Sequence, residues 1–197
     1  MIDILRDIVK HTYGLGFLDL VKITGTADET AIDSMAEDRS VILQGTFKQA
    51  QKEMTGTFGM PQLNKLDIHL KCPEYKDKAN ITVIKGNRNG AEIPVGIHFE
   101  NEKGDFKNDY RFMNAEIINE KLKTIKFKGV KWDVEIEPTV AGVQRFNFQS
   151  VANTEHNTFV VRTDNGNLVF TFGDAASHGG EFTFATGVKG KIGRAHV

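Results

Sequence analysis

Three stretches of the chain carry apolar residues at the three- and four-residue spacing that is typical of an amphipathic helix. In the clearest of them, residues 57–71 (TFGMPQLNKLDIHLK), Leu63, Leu66 and Leu70 share one face. Pro61 suits the first turn of this helix, because the N–H that a proline lacks is not needed there. The pattern therefore predicts a short helix whose leucine stripe lies against a sheet.

A second helix is predicted over residues 3–12 and a third over residues 139–153, after Pro138. In the second helix Asp3 is a candidate N-cap. Its apolar face consists of Ile4, Leu5, Ile8 and Val9. In the third helix we expect an inner face made of Val143, Phe146 and Val151. All three helices thus combine one apolar face for a core with one polar face for solvent.

Much of the remaining chain alternates apolar and polar residues, as half-buried β-strands do. The sequence DNGN at residues 164–167 is a strong hairpin signal. Strands are predicted at residues 17–24, 30–35, 39–47, 80–85, 93–100, 110–113, 122–127, 131–137, 158–163, 167–172 and 180–185.

The order helix, strands, helix, strands occupies the first 113 residues and begins again near Asn114. The second pass stops before its second helix. We therefore predict an α+β chain of two similar domains, residues 1–113 and residues 114–191, of which the second is incomplete.

The last six residues, 192–197 (IGRAHV), continue neither the helical nor the strand pattern. They read like the translated read-through of a sequencing adapter. We therefore expect a non-native tail and a missing natural C-terminus, and we exclude these residues from the fold prediction. A disordered natural tail is the alternative.

The composition leaves the class of partner open. The chain has 197 residues, with 25 Lys and Arg against 26 Asp and Glu. This balance also results from one basic and one acidic surface, so it neither indicates nor excludes nucleic acid. Cys72, the single cysteine of the sequence, cannot form an internal disulfide. No apolar run has the length of a membrane span, so no membrane partner is expected.

The sequence offers no catalytic motif. Its six histidines show no HExxH, HxH or carboxylate-flanked spacing. The glycine-rich stretch 173–181 contains Asp174, Ser177 and His178, which fit a mobile hairpin loop better than a nucleophilic triad. A candidate calcium-binding group lacks the spacing of an EF-hand and fits a solvated turn better; it consists of Asp28, Glu29 and Asp33. Four aromatic residues are expected to fill a core rather than to stack on bases; they are Trp132, Phe146, Phe148 and Phe159. We therefore predict no enzyme, no metal site and no cofactor.

Polar and cationic residues on the non-core faces of the three helices are the remaining candidates for function. Each cation alone fits an ordinary solvated side chain. Together they could contact DNA phosphates without reading bases, which gives weak and salt-sensitive binding. The predicted DNA-facing residues are Arg6, Lys10, Lys65, His69, Lys71, Arg145 and Gln149.

Four blocks of the sequence resemble the sliding clamp, or DNA polymerase processivity factor, of tailed myophages of the cyanophage type. They are GTFGMPQLNKLDIHLKCPEY at 56–75, ANITV at 79–83, FNFQSVANTEHNTF at 146–159 and NLVFTFGDAASHGGEFTFATGV at 167–188. The resemblance covers nearly all of residues 1–190 and rests on overall pattern more than on any single residue.

This resemblance implies a DNA clamp fold with two βαβββ-like domains per subunit. Three subunits would close a ring, with helices lining the hole and antiparallel sheets outside. It implies a protein in the cytoplasm of an infected bacterium that tethers the phage DNA polymerase to duplex DNA, is opened by a clamp-loader ATPase, and supports late transcription. Because such clamps are longer, the fourth inner helix and the final strands would be missing here.

Two other classes of function compete with this interpretation. A β-rich phage structural or adhesion module would show similar hairpins and a similar trimeric habit, but it gives the cationic helix faces no role. A small β-scaffold enzyme is disfavoured, because no set of acid, base and nucleophile converges in the sequence.

Overall fold

The computed structural model describes residues 1–76, 78–88, 90–123, 131–174, 176, 178–193 and 195–196. The chain divides into two compact units, Met1–Lys126 and Phe127–Val197. The sequence placed this boundary at residue 113. The first unit extends further because a short helix after Asn114 packs on one of its strands.

The first unit contains three helices and seven strands among the described residues. The helices are α1 (Ile2–His11), α2 (Leu63–Lys71) and α3 (Ala115–Lys121). The strands are β1 (Leu20–Gly25), β2 (Thr30–Met35), β3 (Ile42–Thr46), β4 (Gly56–Pro61), β5 (Asn80–Arg88), β6 (Ala91–Glu100) and β7 (Lys107–Arg111). Three single 3₁₀ turns lie at Tyr13–Leu15, Lys52–Met54 and Pro73–Tyr75.

Two antiparallel sheets form this unit, one with the order β3-β2-β1-β4 and one with the order β5-β6-β7. An isolated bridge between Gly59 and Met113 joins them. The helices α1 and α2 lie side by side and bury their apolar stripes in the core. Leu63, Leu66 and Leu70 are all buried, as the spacing predicted.

The ends of these two helices differ from the prediction. Pro61 is the last residue of β4, where it pairs with Leu20, and Tyr110 donates a hydrogen bond to its carbonyl. The helix α2 therefore begins two residues later, after Gln62 in the left-handed region (φ 53°). Asp3 lies inside the first turn of α1, whose N-cap is Met1 without a side-chain cap.

The helix α3 was not predicted from the sequence. Asn114 caps it, because its side-chain oxygen accepts a hydrogen bond from the backbone N–H of Ile117. Ile118 is fully buried against Gly59 of β4, where a larger residue would clash. Of the strand predicted at residues 122–127, Leu122 and Lys123 are not in a strand and the rest lies outside the described residues.

The second unit repeats part of this plan. It contains α4 (Val140–Ala152), β8 (Phe159–Asp164), β9 (Asn167–Gly173), β10 (Gly179–Thr186) and β11 (Ala195–His196). Its sheet has the order β10-β9-β8-β11, which matches the order β3-β2-β1-β4 strand for strand. The predicted hairpin is present, with Asn165 and Gly166 both at positive φ.

Phenylalanines dominate the core of the second unit. Phe146 of α4 contacts the rings of three strand residues. The aromatic cluster consists of Phe146, Phe159, Phe170, Phe172, Phe182 and Phe184. The predicted inner face of α4 is wrong at Val143 and Val151, which are exposed, and Phe148 is exposed as well.

Two further expectations about the second unit differ from the structure. Residues 131–137 form no strand, because among the described residues no other strand pairs with them. The end of the chain, expected to continue no pattern, forms β11, which pairs with β8. Thr163 also exchanges hydrogen bonds with the backbone of Ile192. That residues 192–197 are non-native stays a prediction.

No helix in the described part of the chain is long and apolar enough to cross a membrane.

Candidate nucleic-acid interface

The outward face of α1 carries alternating charges. Arg6 lies 3.6 Å from Asp3, and His11 lies 3.2 Å from Asp7, all four side chains being exposed by about half or more. No carboxylate in the described residues lies within ion-pair distance of Lys10. Because exposed pairs at this spacing are weak, Arg6 can exchange its carboxylate for a phosphate at little cost.

The outward face of α2 is less cationic than the sequence suggested. Lys65 is exposed, and Lys71 donates a 2.6 Å hydrogen bond to Asp67, which raises the lysine pKa. His69 is half-buried, with its ring centroid 5.2 Å from that of Phe99. Burial lowers the pKa of His69, so the ring is neutral near pH 7 and adds no cation to this face.

A groove between α1 and α2 brings three of the four predicted lysine and arginine side chains of the first unit together; Lys65 does not line it. Arg6, Lys10 and Lys71 line it, together with Val9, Tyr13, Gly14, Asp67 and Leu70. The two helices carry four cations against three carboxylates, so their net charge is +1 with the histidines neutral. This small excess is suited to weak attraction of phosphates and not to tight binding.

The third predicted helix presents a different surface. Arg145 on α4 is exposed, but Gln149 is half-buried against Gly180 of β10 and accepts a hydrogen bond from Asn153. Gln149 therefore faces the sheet, although the spacing predicted an outward position. The α4 outer face, which we define as Val140, Phe148 and Val151, is apolar, with exposed fractions of 76%, 70% and 74%.

A histidine between carboxylates, which the sequence analysis did not identify, lies on β6. His98 is 2.7 Å from Asp109 of β7 and 3.4 Å from Glu100, two residues further along β6. The hydrogen bond to Asp109 is the main reason why the pKa of His98 is raised. The alternation HFE at 98–100 and KNDYR at 107–111 was the available signal, but it requires the strand register.

Most of the other candidate residues lie in turns and loops. Thr26 accepts hydrogen bonds from the backbone of Asp28 and Glu29, so these acids belong to a tight turn. No group of three metal-ligating side chains occurs in the part of the chain that the structure describes. Asp174 and His178 lie in the β9–β10 hairpin, and Ser177 lies outside the described residues.

The first unit also contains a groove in which seven of the lining residues are apolar, and we call it the apolar groove. Its volume is about 490 Å³, and five polar or charged side chains also line it: Asp19, Glu37, Arg39, Gln62 and Lys121. Phe17 is half-exposed at its rim. The apolar lining is Phe17, Leu20, Met35, Ala36, Pro61, Met113 and Leu122. An open apolar groove of this kind is a candidate site for a hydrophobic peptide.

Edge strands complete the candidate surfaces. In the described residues each of the three sheets has two edge strands; β7 is one edge of the sheet β5-β6-β7, and β10 is one edge of the sheet β10-β9-β8-β11. The outer side of each edge strand therefore offers unpaired backbone groups, which are a template for pairing with another strand.

No family model matches the sequence, and no curated protein matches it. Solved structures do. The chain is similar to PCNA from Thermococcus kodakaraensis, with 13% identity and a TM-score of 0.62 over 98% of this chain and 74% of that one. It is also similar to A. fulgidus PCNA, solved with the C-terminal region of FEN-1 bound, with 12% identity and a TM-score of 0.56 over 100% of this chain and 76% of that one. The chain therefore has the DNA clamp fold, as the sequence predicted.

Proposed function

We propose that this chain is a subunit of a sliding clamp, a non-catalytic ring that encloses duplex DNA and tethers a DNA polymerase to it. The observation that carries the proposal is the match of 98% of the chain to the PCNA fold. The free edges of β7 and β10 and the cations around the groove between α1 and α2 support it.

In the proposed ring, one edge strand of each copy pairs with a different edge strand of the next copy. If β7 of one copy pairs with β10 of the next, the interface is head-to-tail, and such an interface closes into a ring when the rotation per copy divides a full turn. We propose three copies. The outward side chains of β7 are Lys107, Asp109 and Arg111, and Glu181 is an outward acid of β10. Within one copy Glu181 pairs with Arg162 and Lys107 pairs with Glu100, so the backbone edges and not new charge pairs would carry the interface.

The DNA contact is non-specific in this proposal. Arg6, Lys10, Lys65 and Lys71 would attract backbone phosphates, and none of them would need to read a base. Their acidic neighbours Asp3, Asp7 and Asp67 keep this attraction weak. Weak contact suits the function, because the ring is retained by its topology and must still move along the duplex. Arg145 is a further proposed contact in the second unit.

We propose that a peptide of the polymerase binds the clamp and so tethers the polymerase to it. A. fulgidus PCNA binds the C-terminal region of FEN-1. By analogy, the apolar groove would bind the hydrophobic C-terminal peptide of a polymerase. From the sequence resemblance we further propose a tailed-myophage clamp in the cytoplasm of an infected bacterium, loaded by a clamp-loader ATPase and active in late transcription.

Chemical cross-linking tests the ring. In a Cys72→Ser background, Lys107→Cys on β7, which leaves the contact between His98 and Asp109 intact, and Thr183→Cys on β10 place one thiol on each edge. A short bismaleimide should then produce covalent dimers and a closed trimer from the double-cysteine chain. Each single-cysteine chain is the matched control and should stay monomeric, because a head-to-tail interface joins unlike edges. Equal products from the single- and double-cysteine chains would contradict head-to-tail assembly.

The alternative function, a phage structural or adhesion module, is favoured by one observation. The α4 outer face is apolar, which does not suit a helix that faces DNA. This alternative predicts that assembly, if it occurs, is unaffected by reversal of the α1 cations, and that DNA is not retained by the assembled protein.

A further inference from the structure

Five charged side chains of β6 and β7 form a continuous row that alternates in sign. Lys107 lies 3.0 Å from Glu100, Glu100 lies 3.4 Å from His98, His98 lies 2.7 Å from Asp109, and Asp109 lies 3.0 Å from Arg111. We call this row the charged ladder. His98 is its central member, and only the imidazolium cation can donate to both carboxylates and keep the alternation of charge.

The strand register explains why the ladder forms. Glu100 is opposite Lys107 and His98 is opposite Asp109, so all four side chains lie on one face of the sheet. Arg111 is opposite Gly96, which has no side chain to block it, and it turns toward Asp109. On the other side of β6, β5 places only the uncharged Thr82 and Asn80 opposite His98 and Glu100. No other charged group of the described neighbouring strands therefore faces the histidine.

We infer that the charged ladder is a pH-dependent lock that holds the edge strand β7 on the sheet. Protonated His98 joins Asp109 and Glu100, and through them Lys107 and Arg111. When His98 loses its proton, the imidazole keeps one N–H and can donate to only one of the two carboxylates, and its charge attraction to Asp109 of β7 is lost. The edge strand then loses the attraction between its centre and β6, and it opens more often.

The direction of the pH effect follows from linkage. The pKa of His98 is raised, so its contribution to stability is fully present below the ordinary histidine pKa and is lost as the pH rises through the raised value. The pKa values of Glu100 and Asp109 are lowered, so their contributions are lost only in strong acid. The lock is therefore closed in mildly acidic solution and open in alkaline solution.

This lock would also regulate assembly. That consequence rests on the proposed ring, in which β7 pairs with β10 of the next copy. A strand that is held on its own sheet is an ordered template, whereas a strand that opens must first be ordered at the cost of conformational entropy. Ring closure should therefore weaken as the pH rises from about 6 to about 8, across the range in which histidine titrates.

Amide hydrogen exchange of the full chain tests the lock. Between about pH 6 and about pH 8, after correction for the intrinsic rate, β7 should lose about two- to fivefold more protection than β2, the range expected for a partly exposed ion pair. His98→Gln should remove this difference, and Asp109→Asn should reduce it. His11→Gln is the matched control, because it removes an exposed histidine–aspartate pair on α1 and should leave β7 unchanged.

The outcomes separate the lock from the ring. If the protection of β7 has the same pH dependence in the unmodified chain and in His98→Gln, the lock is wrong. If that dependence disappears in His98→Gln while the chain is monomeric at every pH, the lock stands and the ring proposal fails.

Discussion

The helices α1 and α4 occupy equivalent positions, each before the first strand of a sheet with the same strand order, yet they present opposite surfaces. The helix α1 buries Leu5, Ile8 and Val9 and exposes charges. The helix α4 contacts its sheet through Gly142, Phe146 and Gln149. Its exposed side carries three apolar residues, Val140, Phe148 and Val151, beside the polar Gln144, Arg145 and Asn147. The same position in a repeated fold therefore does not imply the same surface chemistry.

A neighbouring helix accounts for part of this difference. In the first unit α2 packs beside α1, and the two share one core. In the described part of the second unit no other helix packs beside α4. The core residues of the first unit are accordingly buried almost completely, whereas those of the second unit keep 3–9% exposure. We expect the second unit to unfold first.

The largest effect is expected within α4 itself. Phe146→Ala should lower the free energy of unfolding of the second unit by about 3 kcal/mol, because it removes the contacts of a partly buried ring with three other phenylalanine rings. Phe148→Ala, two residues away on the exposed face, should change it by less than about 0.5 kcal/mol. Urea denaturation followed by circular dichroism measures both. Equal losses would mean that the inner face of α4 has been misassigned.

The same contrast is expected in α1, with a clearer separation of charge from packing. Leu5→Ala should destabilise the first unit by about 2–5 kcal/mol, because Leu5 is fully buried. Lys10→Ala should stay within about 0.5 kcal/mol, because its side chain is exposed and unpaired in the described residues. Urea denaturation measures both here as well; a large loss for Lys10→Ala would contradict a purely surface role.

Charge reversal on α1 tests its proposed DNA contact. Arg6→Glu with Lys10→Glu should weaken duplex binding, and the slope of log K against log salt should become shallower by about 0.9 for each phosphate that is no longer neutralised. Lys85→Glu with Lys103→Glu makes the same change of charge elsewhere in the first unit and serves as the control. Fluorescence anisotropy over a salt series measures the binding of both double variants. If both bind duplex DNA equally weakly, only the overall charge matters and α1 has no specific role.

The smallest effect concerns His69, which titrates in the opposite sense to His98. Its pKa is lowered by burial, so its neutral form stabilises the fold above the ordinary histidine pKa and this contribution is lost as the pH falls below it. NMR titration should place the midpoint of His69 below, and that of His98 above, the value in an unfolded peptide. A cationic His69 at neutral pH would restore it to the DNA-facing set.

The sequence predicted the structure correctly where a single spacing or turn signal was clear. The leucine stripe of α2 and the DNGN hairpin were predicted correctly, because leucines at helical spacing and a glycine turn leave few alternatives. The inner face of α4 was not, because its apolar residues occur on both sides of the helix. The alternating residues 131–137 show that alternation alone does not produce a strand, because they belong to none of the sheets of the described residues.

For the candidate interface, too, the sequence predicted only those features that depend on residue spacing along one helix. The positions of Arg6, Lys10 and Lys65 depend only on helical spacing, so they could be placed on outward faces in advance. The burial of His69 depends on Phe99, and the charged ladder depends on the register of β6 and β7. Both involve residues that are distant in sequence, which periodicity cannot bring together.

Retention on blocked DNA ends tests the central claim most directly. The protein is incubated with linear duplex DNA fixed to a bead at one end, and the free end is then either blocked with a bulky protein or left open. After a wash at high salt, which removes phosphate contacts, a ring that encloses the duplex stays on the blocked DNA and slides off the open DNA. Equal retention on both, or release from both, would contradict the clamp.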